Sequence, residues 1–311
     1  EHNHKMLSLE KTKSLDELSS FIGKKEAVIM CKMDGLTCSV TYRNGELVAA
    51  ETRGNGLVGE DILHNARVLS SIPKKIPYKD ELVIDGEIIC TYGNFEPFSN
   101  EYKNPRNFAA GSIRLLDSKE CSRRRLTFVA WEVIEGLNEF DLLSEKLNII
   151  EKYGFTIVPF MNNKVLFPEI NEELVEWLKT AAKLRDFPID GIVFKFDNVA
   201  YGKSLGQTAH HFKNAMAYKF YDETYPTTLI NIEWTMGRTG VLTPVAIFEP
   251  IEIDGTIVER ANLHNWTVLN ETLHGKGWRG QKVEVFKANM IIPQIASAEE
   301  DDERTKMYFD Y

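Results

Sequence analysis

The sequence predicts an α+β domain built on antiparallel sheets, followed by a small all-β barrel. Three observations predict it. Strand-like runs in the first two thirds are joined by tight turns or helical stretches, not by strict strand–helix alternation. Helical periodicity thins out near residue 222. Beyond it, short strands recur with Gly and Pro between them. A length of 311 residues fits two domains at roughly 100–200 residues each.

The elements follow in order. Ser14-Leu15-Asp16-Glu17 is a capping box that opens a short helix through about Phe21. Ala27 to Met33 and Leu36 to Arg43 are strand-like, Asn44-Gly45 is a type I′ hairpin signal, and Glu46 to Arg53 returns as the partner. A Gly-rich turn precedes a predicted helix from Glu60 to Leu69. Leu82 to Ile89 and Leu126 to Ile134 are strands. Leu143 to Lys152 and Glu172 to Lys183 have helical periodicity, and Ile189 to Phe196 and Ala215 to Phe220 are strands again. Asp222 to Pro226 marks the boundary, giving domains at 1–221 and 222–311. The second holds strands at Thr228 to Met236, Val241 to Glu249, Thr256 to Arg260 and Gln281 to Lys287, with a helix near Asn265 to Leu273. About five short strands in some ninety residues describe a Greek-key barrel of the OB type.

Composition narrows the function. A hydrophobic share of 43% supports a packed core and excludes global disorder. The net charge of −9 excludes a blanket polycation and leaves room for a local basic surface. No run reaches the ~18 apolar residues of a membrane span. Glu1-His2-Asn3-His4-Lys5 carries no apolar signal region. Cys31, Cys38, Cys90 and Cys121 form no CxxC pair, so structural thiols in a reducing, cytoplasmic setting are expected, without structural zinc. Glu299 to Glu303 reads as a solvated linker or chain end.

Gly54-Asn55-Gly56-Leu57-Val58-Gly59 matches a dinucleotide fingerprint, G-x-G-x-x-G, after a strand and before a helix. The preceding strand is the second arm of a hairpin and ends in Thr52-Arg53, and the βαβ alternation is missing, so a Rossmann fold is rejected. Tyr201-Gly202-Lys203-Ser204 lacks the upstream glycine of a P-loop and is read as a loop.

The chemistry-bearing segment is Cys31-Lys32-Met33-Asp34-Gly35, a lysine in an apolar strand followed by Asp-Gly. An amine attacks phosphorus only when unprotonated, and burial or nearby cations favour that state. Asp85-Gly86-Glu87 offers a carboxylate for a ribose hydroxyl or a hydrated metal. Asp190-Gly191-Ile192-Val193-Phe194-Lys195 and Ala217-Tyr218-Lys219-Phe220 each put a further lysine on an apolar strand. Singly each lysine is explained by snorkelling. Jointly Lys32, Lys195 and Lys219 are read as a phosphate-binding cluster.

These residues resemble the nucleotidyltransferase superfamily of DNA ligases and capping enzymes, an ATP-grasp-like fold, and most closely the NAD-dependent bacterial-type DNA ligases. Met6-Leu7-Ser8-Leu9 is similar to their entry segment. Thr52 to Asp61 resembles their TRGDGxxGED block, and Asn104 to Arg114 (NPRNFAAGSIR) their NPRNAAAGSLR block. Gly237-Arg238-Thr239-Gly240 and Asn262-Leu263-His264-Asn265 resemble signatures of their OB domain. The resemblance implies that Lys32 forms lysyl-AMP from NAD with Mg²⁺ assistance. It implies that Ser8, Leu9, Arg53, Glu87, Lys195 and Lys219 bind the cofactor, Glu87 at the ribose. Asp34 and Asp190 become positioning or metal-linked carboxylates, Arg106 and Arg114 phosphate binders, and Arg238 and Thr239 contacts to DNA backbone. The partner is nicked double-stranded DNA.

There are departures. The family's Glu two residues before the nucleophile is Met30, its Arg before the Gly-Glu pair is Asp85, and a Trp near the last lysine is Asn214. Its RAGDVIP block is Lys287 to Pro293. A divergent branch, phage or viral, is the expectation. The family's helical domain for the nicotinamide mononucleotide half, and its zinc-finger, helix-hairpin-helix and BRCT regions, have no counterpart in the sequence. A core fragment, a minimal ligase or one subunit of a pair all fit. Two alternatives stay open: a non-catalytic nick-binding module with a decayed adenylate pocket, and an ATP-dependent DNA or RNA ligase.

Overall fold

A computed structural model describes residues 1–163, 169–221, 223–253, 255–288, 292–300 and 309. Asp222, residues 289–291 of the RAGDVIP-like block, and residues 301–303 of the acidic run lie outside the described residues. The chain divides into two units, Glu1–Phe220 and Tyr221–Tyr311.

The first unit contains β1 (Ser8–Thr12), α1 (Leu15–Ile22), β2 (Ala27–Met33), β3 (Leu36–Arg43), β4 (Glu46–Thr52), α2 (Leu63–Ala66), β5 (Leu82–Ile89) and α3 (Tyr92–Phe95). Then come α4 (Pro105–Ser112), α5 (Ser118–Arg123), β6 (Thr127–Glu135), α6 (Leu143–Lys152), β7 (Thr156–Ile157), β8 (Phe160–Asn162), α7 (Glu172–Leu184), β9 (Ile189–Phe196), α8 (Val199–Ser204) and β10 (His211–Lys219). They build two five-stranded sheets, ordered β1-β10-β9-β2-β8 and β4-β3-β5-β6-β7. Every ladder is antiparallel except β1–β10 and β6–β7.

Local chemistry explains the principal elements. Asn44 and Gly45 both have positive φ, as a type I′ turn requires, so β3 and β4 close as a hairpin. Strand β5 is buried at every position, which is why its apolar run is nearly continuous. Helix α7 starts at Asn171, whose side chain accepts from Leu174 N at 3.2 Å. It buries Leu174, Val175, Leu178 and Ala182 against β2 and β9. Each large side chain of that stripe contributes about 1.5–3 kcal/mol. The capping box at Ser14 is rearranged. Ser14 accepts from Glu17 N, but the Glu17 carboxylate takes the Thr12 hydroxyl, and Thr12 Oγ1 accepts from Ser14 N.

Two sequence readings are corrected. The predicted helix from Glu60 to Leu69 shrinks to the single turn α2. Residues 60–62 are instead drawn against β4, with Thr52 N donating to Glu60 O and Ile62 N to Ala50 O, both at 2.9 Å. The Tyr201–Ser204 segment, read as a loop, is helix α8, because Asn198 caps it by accepting from Tyr201 N at 2.8 Å. The four thiols are buried and free, and burial pushes Cys31 and Cys90 up to about 12 and Cys121 to about 11.

The second unit comprises β11 (Tyr225–Met236), β12 (Leu242–Ile253), β13 (Thr256–Asn262), α9 (Trp266–Thr272), β14 (Lys282–Ala288) and β15 (Ile292–Ala298). Its order is β13-β12-β11-β14-β15, antiparallel throughout. Strand β11 pairs with β14 up to Thr228 and with β12 from Leu229 on. That change of partner, with a register shift at Leu229, curls the sheet around Leu229, Phe248, Leu269, Val283 and Val285. The end strands β13 and β15 approach each other.

Asp197, just after β9, ties α6 to the edge strand β8 of the first sheet. It is 1% exposed. It accepts from Ser144 N and Ser144 Oγ, both at 2.9 Å, and from Asn162 Nδ2 at 3.2 Å. Asp197→Ala removes the acceptor of three hydrogen bonds at once, so it is expected to destabilise the chain by about 3 kcal/mol in denaturant titration. A loss below about 0.5 kcal/mol would refute this keystone role.

Candidate functional site

The site is built on the crossing from β2 to β3. Gly35 lies at the crossing, where a Cβ would run into the Ile88 carbonyl of β5, so only glycine lets the two sheets meet here. Lys32 lies one residue before the end of β2, on the face it shares with Met30 and Val28. Its ladder partner is Gly191 of β9, and Gly191 in turn faces Lys219 of β10. Residues directly opposite one another point to the same side of a sheet. Both ammonium groups therefore stand one strand either side of Gly191.

Asp190 would ordinarily point to the opposite face from Gly191. The β2–β9 ladder slips here: Lys32 pairs with Gly191, but Met33 pairs with Ile189, leaving Asp190 as a bulged residue. The bulge turns its carboxylate onto the lysine face. Lys32 Nζ lies 3.2 and 3.4 Å from its two oxygens, and Lys219 Nζ lies 3.3 Å from Oδ2. The Lys219 side chain is 6% exposed and that of Lys32 21%. A single carboxylate thus holds two ammonium groups, and Asp34 is close enough to feel both of them.

Across from it, β5 supplies Glu87, which accepts from Thr37 Oγ1 at 3.1 Å. Burial pushes its carboxyl up to about 7, against the opposing pull of Lys32, the Thr37 hydrogen bond and Arg106. Asp34 is also raised, by burial and by the charge of Asp190, while Arg106, Lys32 and Lys219 lower it. Arg106 Nε, on α4, is 3.8 Å from Asp34 Oδ1.

The remaining predicted residues distribute as follows. Lys195 stands on the same face of β9 but four residues from Gly191, about 13 Å at ~3.3 Å per residue. It pairs with Glu132 of β6 at 2.5 Å and lies over the Trp131 ring. The three predicted lysines therefore divide into a pair on Asp190 and a separate ion pair. Arg53 is held by its Nε donating to Met6 O at 2.8 Å. Ser8 Oγ donates to His210 O at 2.9 Å, and Leu9 packs partly buried on the core. Arg114 pairs with Glu60 at 2.9 Å. In the second unit, Arg238 and Thr239 are exposed at the tip between β11 and β12, where Gly237 N donates to Val241 O. Met30 is 2% exposed and gives the Lys32 face an apolar floor.

Sequence reasoning passed over four groups near this site. Glu132 was legible as a charge inside an apolar strand. His2 and His4 were read only as a polar N-terminus, and Glu51 was not singled out within the strand from Glu46 to Arg53. His4 Nε2 sits 3.0 and 2.9 Å from the two oxygens of Asp85, and His2 Nε2 is 2.8 Å from Arg53 O.

Glu87 gives a stability test. Its folded value of about 7 lies above the ordinary 4.5, so its charged form is penalised and stability falls as pH rises from about 4.5 to 7. Glu87→Gln should therefore gain on the wild type across that window, reaching about 3 kcal/mol at the top, with nothing gained below it. A difference that does not change with pH would contradict the burial of this carboxyl.

Comparison with known proteins adds to this geometry. The profile of the NAD-dependent DNA ligase adenylation domain matches residues 1–223. That of the NAD-dependent DNA ligase OB-fold domain matches residues 226–307. A DNA ligase of Lachnoclostridium phytofermentans is 44% identical over 304 residues, covering 95% of this chain and 46% of that protein. One of Ruminiclostridium cellulolyticum is 42% identical over 304 residues, with 95% and 45% covered. One of Clostridioides difficile is 37% identical over 313 residues, with 94% and 46% covered. The chain spans about half the length of the curated relatives it matches.

Proposed function

The chain belongs to the NAD-dependent DNA ligase family, as an adenylation domain followed by an OB-fold domain, and from that premise we propose that it takes AMP from NAD onto Lys32 and delivers it to a DNA nick. The observation that carries this reading is the pair of ammonium groups on Asp190, facing the buried Glu87.

In the first step the unprotonated Lys32 amine attacks the α-phosphorus of NAD. An N–P bond forms, and nicotinamide mononucleotide leaves with the electrons of the broken P–O bond. Asp190, 3.2 Å away, is placed to take the proton from Nζ. Lys219 stays beside it to stabilise charge on the phosphate oxygens. Glu87 accepts a ribose hydroxyl, and Arg53 faces the nucleotide. In the second step an oxygen of the nick's 5′-phosphate attacks the same phosphorus, and the lysine recovers its proton. In the third the 3′-hydroxyl attacks the activated 5′-phosphate and AMP departs. Lys195, paired with Glu132, lies further along the same face. Ser8 and Leu9 line the nucleotide side.

Among the described residues no three His, Cys, Asp or Glu side chains converge to hold a metal. The mutual charge of Asp34 and Asp190 nevertheless suits a hard divalent ion. Mg²⁺ commonly binds through one or two carboxylates plus substrate phosphate. Asp34 and Asp190 would hold it, and it would neutralise phosphate charge.

Arg106 and Arg114 approach the phosphate side of the nick, and Arg238 and Thr239 of the second unit touch the duplex backbone. Such contacts carry salt dependence rather than sequence preference. No helix among the described residues is long and apolar enough to cross a membrane. We read the setting as cytoplasmic.

Intact-mass measurement after incubation with NAD should show a gain of one AMP unit, absent from Lys32→Ala and released by pre-formed nicked duplex. An adduct that survives in Lys32→Ala refutes the nucleophile. An adduct from ATP alone supports the ATP-dependent alternative. Nick binding without any adduct supports the non-catalytic one. Raising salt from about 50 to 200 mM should weaken binding of nicked duplex by at least about tenfold, equally for unrelated sequences; salt-insensitive binding would refute the backbone-contact reading.

A further inference from the structure

Residues 2–6 cross the Gly54–Gly59 turn. His2 N donates to Leu57 O at 2.9 Å, Met6 N to Gly56 O at 3.0 Å, and Arg53 Nε to Met6 O at 2.8 Å. A Cβ on Gly59 would strike the Thr52 carbonyl and lie 2.8 Å from His2 Cε1. Gly56 and Gly59 therefore receive residues 2–6 of the chain itself.

Beneath that segment runs a row of polar side chains across the second sheet. Glu51 of β4 faces Ser39 of β3, Ser39 faces Asp85 of β5, and Asp85 faces Glu132 of β6. Glu132 is taken by Lys195. Asp85, 3% exposed, is taken by His4. The other nitrogen of the His4 ring, Nδ1, lies 2.6 Å from Asn3 Oδ1. With the Asp85 carboxylate at one nitrogen and the Asn3 amide at the other, the doubly protonated ring can donate to both.

We propose that His4 is a positioning residue: clasped as a cation by Asp85, it latches residues 2–6 across the Gly54–Gly59 turn and holds Arg53 in its nucleotide-facing pose. The consequence for nucleotide uptake rests on the ligase reading above; the latch itself does not. Burial of His4 opposes its charge, but the hydrogen bond and charge of Asp85, with Glu132 and Glu51, outweigh it and raise the ring above its ordinary value. His2 is the remaining titratable neighbour, with Nδ1 3.6 Å from Glu51. The latch is therefore closed below about pH 6.5 and opens as pH rises through the raised value.

The test is trypsin cleavage at the exposed Lys5 of the full chain from about pH 6 to 9. Each rate is divided by that of a free peptide of residues 1–9 at the same pH. The wild-type ratio should rise about tenfold across the range, with the midpoint at which the His4 ring signal titrates by NMR. His4→Gln and Asp85→Asn should both be cut fast at every pH, with flat profiles. A flat wild-type profile, or a His4→Gln profile that matches wild type, overturns the latch. As a functional readout, the apparent KM for NAD in adduct formation should be several-fold higher in His4→Gln than in wild type near pH 6 and equal near pH 9. An equal KM at both pH values overturns the link to Arg53. If wild type forms no adduct while the strap still opens with pH, the ligase reading fails and the latch stands.

Discussion

One carboxylate shared between two ammonium groups is the constraint on which the site depends. Asp190 reaches Lys32 and Lys219 only because the β2–β9 ladder slips by one residue beside it. Without that bulge an alternating strand would send it to the opposite face, and Lys32 and Lys219 would lose the carboxylate they share. With it the two ammonium groups share one sheltered carboxylate.

The opposite wall works by burial rather than by pairing. Glu87 sits in a strand with no exposed residue, and the cost of its charge pushes its carboxyl to about 7. A ligand that donates a hydrogen bond there would relieve part of that cost. The two walls meet because Gly35 brings β3 against the β5 backbone. The K-x-D-G pattern therefore combines a chemical requirement at Lys32 with a packing requirement at Gly35.

Much of this was legible in the sequence, and the reasons are local. The Asn44-Gly45 turn, the apolar run of β5 and the stripe of α7 each specify their element without help from distant residues. The helix expected over Glu60–Leu69 was lost because its first residues found a better use along β4, a long-range competition that no window reveals. Lys32, Lys195 and Lys219 were recognisable as charges on apolar strands. What could not be read was that Gly191 brings two of them together while Glu132 takes the third. The histidines at positions 2 and 4 carried no periodic signal at all. Their place depends on carboxylates some fifty and eighty residues away.

The family assignment and the geometry support each other without being the same observation. Relatives at 37–44% identity establish kinship over 94–95% of this chain. The shared carboxylate and the buried Glu87 are features of this chain's own geometry. A crystal structure with AMP bound to the first unit tests the account most directly. It should show the phosphate against the Lys32 and Lys219 ammonium groups with the ribose at Glu87. AMP bound elsewhere, or seated with its phosphate on Lys195 and away from Lys32, would contradict it.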